Sequence, residues 1–471
     1  MSQSDLIADL KALLGETSVV TDGAELAGHL TEQRGLYTGT SPALTKPRNS
    51  EEVSEIVKVC TKHNVPVVVH GGNTGLVGGG TPEGAVLIDM SRLNAILDVD
   101  PVNLTMTVEA GAILANVQDA ADDKGAYFPL SLAAEGSCQI GGNLSTNAGG
   151  VHVVRYGNAR QLVLGLEVVL ADGRIWDGLR GLRKNNTGYE LKELFLGSEG
   201  TLGIITKAVL RLHPKLQQKA VALAGCASFD GAQTLLHLAQ KRAGDVLMAC
   251  EAMNGFAMDI VDQHIEGASN PLKNKHNCYV LLELGSTNAD ADLIQVMEAL
   301  LGDAFDAETI QDAVIAQSET QAESLWKIRE SIPGAQKHEG GSIKHDVSVP
   351  VSRTAEMIAK ATDLVKDLIP GVRPVTFGHL GDGNIHFNLT QPEDADKQEF
   401  LDLWHATNAK VHDLIVSMNG SFSAEHGIGQ LKTDEMARLK SDVELDLMHT
   451  VKNALDPHNR LNPGKVLPPK S

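Results

Sequence analysis

The sequence predicts an α+β chain of more than one domain. Three observations predict it. Short buried strands alternate with amphipathic helices along the whole length. Glycine-rich loops crowd the first half and stop near Pro214. After Pro214 the strand and helix signals follow one another with few glycine clusters. With 471 residues, 42% of them hydrophobic, the chain can build sizeable cores. At ~150 residues per domain it divides into two or three.

In order, Ser4 reads as the cap of a first helix, with Leu6, Leu10, Leu13 and Leu14 on one face and Gly15 as its stop. Residues 50–60 read as a second helix. Ser50 would cap it, Glu51 and Glu52 suit its positive end, and Val53, Ile56, Val57 and Cys60 recur at helical spacing. Val65–Val69 is a short buried strand that runs into a glycine loop, and Ala85–Asp89 is another apolar run. Residues 104–109 alternate as a strand, and 112–123 read as a helix closed by Gly125. Asp172-Gly173 marks a hairpin between two strand-like runs. Beyond Pro214, strands at 220–229, 245–252 and 277–285 alternate with helices at 231–243 and 288–301, an order that resembles a ferredoxin-like layer. The expected divisions are an N-terminal helical segment (1–36), a cofactor domain (37–215), a substrate-binding cap (216–420) and a C-terminal segment (421–471) that returns to the cofactor domain.

Composition narrows the function. The chain has 60 acidic against 40 basic residues, a formal net charge of −20, and only 4% aromatic residues. This argues against nucleic acid, which requires a basic footprint and stacking side chains. No apolar run approaches the ~18–20 residues of a membrane span, and the N-terminus carries no signal-peptide pattern. The five cysteines are scattered, without C-x-x-C spacing, so no disulfide framework or iron–sulfur cluster is expected. A cytoplasmic location is the expectation.

Three glycine clusters carry the first chemical signal. They are His70-Gly71-Gly72-Asn73-Thr74-Gly75, then Gly136-Ser137-Cys138-Gln139-Ile140-Gly141-Gly142-Asn143 with Thr146-Asn147-Ala148-Gly149-Gly150, and Asn185-Asn186-Thr187-Gly188-Tyr189 with Gly197-Ser198-Glu199-Gly200-Thr201-Leu202-Gly203. Glycine lets backbone amides approach an anion closely. Three such loops with hydroxyl and amide side chains suggest a cradle for an elongated polyphosphate ligand. None is G-x-G-x-x-G or G-x-x-x-x-G-K-[ST], which disfavours a Rossmann site and a P-loop.

At these motifs, together with Pro129-Leu130-Ser131 and Arg155-Tyr156-Gly157, the chain resembles the vanillyl-alcohol-oxidase (PCMH) type of flavoproteins. Within that group it resembles the D-2-hydroxyglutarate and D-lactate dehydrogenase branch. The resemblance covers about residues 37 to 467. It implies a two-subdomain FAD-binding domain, a cap domain and non-covalent FAD. By the same resemblance Gly71, Gly72, Asn73, Thr74 and Gly75 hold the pyrophosphate. Pro129, Ser137, Gly141, Asn143, Thr146, Gly200, Ile204 and Asn462 complete the cofactor site.

A second signal is Phe377-Gly378-His379-Leu380-Gly381-Asp382-Gly383-Asn384-Ile385-His386-Phe387-Asn388. If Asp382 and Gly383 form a two-residue type I′ turn, His379 and His386 face each other with Cβ atoms ~5 Å apart. Asn388 shares their face. Such a pair is either two surface histidines or half of a divalent-metal site. Ser423-Ala424-Glu425-His426-Gly427-Ile428-Gly429 offers a carboxylate and a further imidazole. His379, His386 and Glu425 would make a metal triad, leaving His426 as a base. The resemblance implies the same roles: a zinc-type cation on those three (Mn, Fe or Co fit as well), His426 as the base and Asn388 on substrate. Arg329 and Lys344 are solvated or salt-bridged side chains or a carboxylate clamp, and the resemblance implies the clamp. Pro333 stands where dicarboxylate-specific members often carry a hydroxyl.

The implied reaction oxidises a D-2-hydroxy acid, foremost D-2-hydroxyglutarate, with D-lactate and glycolate as alternatives. The resemblance also implies an external acceptor, an electron-transfer flavoprotein or a quinone. A homodimer is the base-rate default. Two rival classes stand beside this reading: a metal-dependent hydrolase with a nucleotide in the glycine loops, and a flavin electron carrier with a structural metal.

Overall fold

The computed structural model describes residues 2–469. The first helix, Gln3–Leu14, is capped by Ser2 rather than Ser4. Ser2 and Asp5 exchange hydrogen bonds in a reciprocal box, which fixes the helix start two residues earlier than expected. Similarly, Ser50 does not cap the second helix, Ser50–Lys62. Asn49 does, accepting from the Glu52 amide at 2.8 Å. The Ser50 hydroxyl is buried and spent instead on the Glu167 carboxylate.

The chain divides into two units. The first comprises the residues up to Gly149, Gly157–Lys215, and those from Glu425 onward. Residues 1–36 belong to it, and the helix Gln3–Leu14 packs on Ser50–Lys62. A small sheet takes the order Val19–Val20, Leu44–Thr45, Val86–Asp89, Val67–His70, with the last three strands parallel. The end of the chain runs beside it. Val67 donates to Arg460 O and accepts from the Asn462 amide, each at 2.9 Å. A second sheet, antiparallel throughout, takes the order Ile96–Asp100, Thr105–Glu109, Ile204–Arg211, Val163–Val169, Ile175–Gly178. Its last two strands form the hairpin marked by Asp172-Gly173, with Gly173 at φ +82°.

The second unit comprises Gly150–Tyr156 and Leu216–Ala424. The expected strand–helix alternation forms part of one eight-stranded antiparallel sheet. The strand order is Asp312–Ile315, Gln218–Cys226, Cys278–Ser286, Leu247–Asn254, Arg373–His379, Asn384–Thr390, Ser342–Ile343, and Asp346–Ser348 also pairs with Asn384–Thr390. Strict alternation sends side chains to both faces. Ala220, Ala222, Ala224 and Cys226 pack with the helices Phe229–Ala243 and Leu293–Asp306. Val221, Leu223, Phe377 and Val375 pack with Gly255–His264 and Glu319–Gln336. Ile385, Phe387 and Leu389 pack with Thr354–Leu368 and Trp404–Ser417. That third core fixes Asn384, His386 and Asn388 on the opposite face of their strand.

Candidate functional site

In the first unit the glycine loops surround a cavity of about 450 Å³. Its lining includes Gly71, Gly72, Asn73, Thr74, Gly75, Gly141, Asn143, Thr146, Gly200, Ile204 and Asn462, all expected there from sequence. Two expected residues do not line it. Ser137 is exposed and contributes backbone instead, because a Cβ on Gly72 would lie 2.1 Å from its carbonyl oxygen. Pro129 is buried away from the cavity.

The glycines fall into two kinds. At Gly72 and Gly141 a side chain would strike protein, Ser137 O and the Ala110 methyl respectively. At Gly75, Gly142 and Gly200 a Cβ would meet nothing within 4 Å, although all three line the cavity. The first kind brings loops together, and the second leaves room for a ligand. Two buried oxygens on the cavity wall, Gln139 Oε1 and Asn462 Oδ1, have no hydrogen-bond partner. Buried acceptors normally find a donor. The amide end of Asn462 is committed, donating to Gly79 O at 2.9 Å and Glu199 O at 2.8 Å. Asn73 Nδ2 likewise donates to Thr31 O at 3.0 Å, while its backbone sits at φ +51°. A polyphosphate cofactor with hydroxyl donors fits this cradle.

His70 ends the strand Val67–His70 and also faces the cavity. Burial, with His29 beside it, pushes its pKa down to about 4. It is a neutral packing histidine, and its ring lies against Gly80.

Glu425 and His426 line the same cavity. A Cβ on Gly149 would lie 2.4 Å from Glu425 Oε1, so that glycine admits the carboxylate. The segment is anchored by Glu199, a residue quoted in the third motif but given no role from sequence. Glu199 sits at φ +51° and accepts from the Ile428 amide at 2.7 Å and the Gly429 amide at 2.8 Å. Its burial raises its pKa, against those hydrogen bonds and the charges of Lys432 and Lys465.

The second unit holds the other candidates. The hairpin differs from expectation. Phe377 pairs with His386 and His379 with Asn384, and the loop runs Leu380–Gly383. A type I′ turn needs positive φ at both central residues, and of Asp382 and Gly383 only Gly383 has it, at +87°. Leu380 is fully buried in the core, which draws the loop inward. The shift keeps both histidines on one face. Their ring centroids are 5.7 Å apart, and each offers a nitrogen within 4.8 Å of the other's.

Behind each histidine stands a carboxylate directly across the sheet. Glu251 pairs in register with His379, and Asp346 with His386. Glu251 Oε1 meets His379 Nδ1 at 2.7 Å, and Glu251 Oε2 accepts from Arg329 Nε at 2.7 Å. Burial opposes ionisation of Glu251, yet its two partners, His379 and Arg329, outweigh it and take its pKa to about 2. Asp346 Oδ1 lies 3.7 Å from His386 Nδ1 and accepts from Asn384 Nδ2 at 2.9 Å. Neither acid was anticipated. The available signal was a lone charged residue in the strand Leu247–Asn254.

Arg329 is buried on the helix Glu319–Gln336, its guanidinium 4.8 Å from the Phe377 ring centroid. Asn388 is buried on the face of His386, and its Nδ2 donates to Gln336 Oε1 at 3.1 Å. Lys344 is half-buried, between the strands Ser342–Ile343 and Asp346–Ser348. Pro333 lies inside the Arg329 helix.

Comparison with known proteins agrees with this architecture. Residues 41–178 match the FAD binding domain, and residues 215–466 match the C-terminal domain of FAD linked oxidases. A mitochondrial D-2-hydroxyglutarate dehydrogenase of Arabidopsis thaliana is 40% identical over 463 residues, 98% of this chain and 81% of that one. The Danio rerio protein of the same name is 36% identical, over 99% of this chain and 86% of its own. Among solved structures, p-cresol methylhydroxylase superposes with a TM-score of 0.79 at 17% identity, covering 98% of this chain and 96% of that one, which shows the shared fold.

The relatives also correct one expectation. Those from Arabidopsis and Danio are named as mitochondrial, which overturns the cytoplasmic location read from the sequence. Among the described residues no helix is long and apolar enough to cross a membrane. FAD is the cofactor, and the protein is a flavin-dependent oxidoreductase. From these matches and the cavity that precedes them, the chain belongs to the FAD-dependent D-2-hydroxyglutarate and D-lactate dehydrogenase family.

Proposed function

We propose that this enzyme oxidises D-2-hydroxyglutarate to 2-oxoglutarate and passes the electrons to an external acceptor, an electron-transfer flavoprotein or a quinone. One observation carries the reading: Glu425 and His426 line the cavity of the cofactor loops, so an imidazole reaches the space that would hold the cofactor. FAD, when bound, accepts the two electrons and the hydrogen from the substrate carbon. Its phosphates fit the loop of Gly71, Gly72, Asn73, Thr74 and Gly75, and Gln139 Oε1 and Asn462 Oδ1 offer acceptors to its hydroxyls.

His426 would take the proton of the substrate hydroxyl, and Glu199 would hold its segment in place through the Ile428 and Gly429 amides. Arg329 would bind a substrate carboxylate with the nitrogens that Glu251 does not engage, and Lys344 would add a second cation. Asn388 would contact the substrate from the face it shares with His386. His379, His386 and Glu425 are the proposed ligands of a divalent cation, with zinc the foremost candidate. Such an ion lowers the pKa of a bound hydroxyl. Support comes from the paired imidazoles of the hairpin and from the carboxylates behind them.

A substrate panel tests the proposal: kcat/KM for D-2-hydroxyglutarate, D-lactate, D-malate and glycolate, with anaerobic bleaching of the flavin as the direct readout. D-2-hydroxyglutarate is expected to lead. A preference for D-lactate would reassign the substrate and give Pro333 its significance, since proline offers no donor to a distal carboxylate. A flavin that no D-2-hydroxy acid bleaches would sink the proposal.

A further inference from the structure

We propose that Glu251 is a positioning residue that sets the metal-binding nitrogen of His379 and the substrate-binding edge of Arg329 together, through one carboxylate. The inference rests on the metal reading above. Its geometry lies wholly within the second unit. Glu251 occupies the middle of Leu247–Asn254, and its side chain is fully buried. A buried carboxylate is costly unless its charge is matched and its oxygens are hydrogen-bonded. Here each oxygen has its own partner: Oε1 meets His379 Nδ1 and Oε2 meets Arg329 Nε, both at 2.7 Å.

The consequence for His379 is a fixed tautomer. The carboxylate that takes Arg329 Nε on Oε2 presents Oε1 to His379 Nδ1 as a second acceptor. Nδ1 must therefore carry the hydrogen, which leaves the Nε2 lone pair for a metal. The consequence for Arg329 is a fixed fork. With Nε held by Glu251 and the guanidinium lying against the Phe377 ring, the terminal nitrogens keep one orientation. Cross-strand register explains the arrangement. Glu251 lies directly opposite His379, where Cβ atoms stand ~5 Å apart. Asp346 holds the matching position opposite His386, its Oδ1 3.7 Å from Nδ1, and the link to Arg329 runs through Glu251. A salt bridge that merely tied helix Glu319–Gln336 to the sheet would need Arg329 but not the His379 contact.

The test uses the FAD-loaded protein stripped of metal by a chelator and titrated with Zn²⁺ against a chromophoric competitor. Wild type, Glu251→Gln, Glu251→Asp and His386→Ala are compared. Wild type is expected to bind tightly and His386→Ala to lose binding. Glu251→Gln should bind ~10–100-fold more weakly, with flavin absorbance and far-UV circular dichroism unchanged. Its KM for D-2-hydroxyglutarate should rise as well. Glu251→Asp keeps the charge but shortens the reach, so its affinity should fall between the two. Wild-type zinc affinity in Glu251→Gln overturns the inference. Should that variant fail to fold, Glu251→Asp decides: weakened zinc binding supports the inference and unchanged binding overturns it. A wild-type protein that binds no zinc, or a His386→Ala variant that binds it normally, instead overturns the metal reading itself.

Discussion

The two units build their candidate sites in opposite ways. The first uses backbone. Its cavity is made where glycines let loops touch, as at Gly72 against Ser137, or leave space, as at Gly75 and Gly142. The second uses side chains fixed across a sheet, with Glu251 behind His379 and Asp346 behind His386. A backbone cradle depends on the absence of atoms, so it survives only if nothing larger replaces glycine. A side-chain network depends on partners, so it fails when either member goes. Under the proposed function, chemistry at the substrate belongs to side chains and affinity for the cofactor to loops.

The largest effect should come from removing chemistry while sparing the cradle. His426→Ala is expected to keep its FAD and lose ~10²–10⁴-fold in kcat; retention of most activity would refute the base assignment. Next comes the cradle itself, where two glycines should behave differently. Gly72→Ala drives a methyl into the Ser137 carbonyl and should cost about 1–3 kcal/mol or more, with FAD lost on purification. Gly75→Ala should leave apoprotein stability within about 0.5 kcal/mol of wild type yet weaken FAD binding, as read by flavin fluorescence. Equal stability losses in the two would erase the distinction between loop contact and ligand space.

Acid should act on the first unit through His70. Its folded pKa, about 4, lies below the ordinary 6.5, so the unfolded chain takes up the proton first. The contribution is complete above pH 6.5 and is lost as pH falls toward 4. It amounts to about 3 kcal/mol. His70→Gln should flatten that part of the thermal-midpoint profile, and an unchanged slope would show that another group titrates. A smaller loss of kcat than that of His426→Ala is expected at Glu199. Glu199→Gln turns one of two acceptors into a donor facing an amide, worth about 1–3 kcal/mol. It should lower kcat with FAD content intact. A lowered FAD content at normal kcat would place Glu199 with the cradle instead.

The same contrast explains what could be read in advance. Gly71-Gly72-Asn73-Thr74-Gly75 and Gly141-Gly142-Asn143 are contiguous, so their cavity was legible as motifs. Ser137 is contiguous with them too, but it faces outward, because the Gly72 contact uses its carbonyl and not its hydroxyl. The hairpin histidines were legible as a pair, and the register was not. The turn chemistry of Asp382-Gly383 was outweighed by the burial of Leu380. The faces survived the error because the shift moved the pairing by an even step. Helix starts failed for a related reason: Ser50 was claimed by Glu167, distant in sequence and near in space.

By itself the sequence determined the alternation of strands and helices, the glycine cradle, the identity of the imidazoles and carboxylates, and the family. Those properties are local or compositional, and each is written in consecutive residues. Only the tertiary structure decided that Glu251 stands behind His379 and grips Arg329, that Glu199 holds the segment after His426, and that Asn462 returns to the glycine loops. Each of these joins residues far apart in the chain. Their partners are chosen by strand register and burial, which no short stretch of sequence encodes.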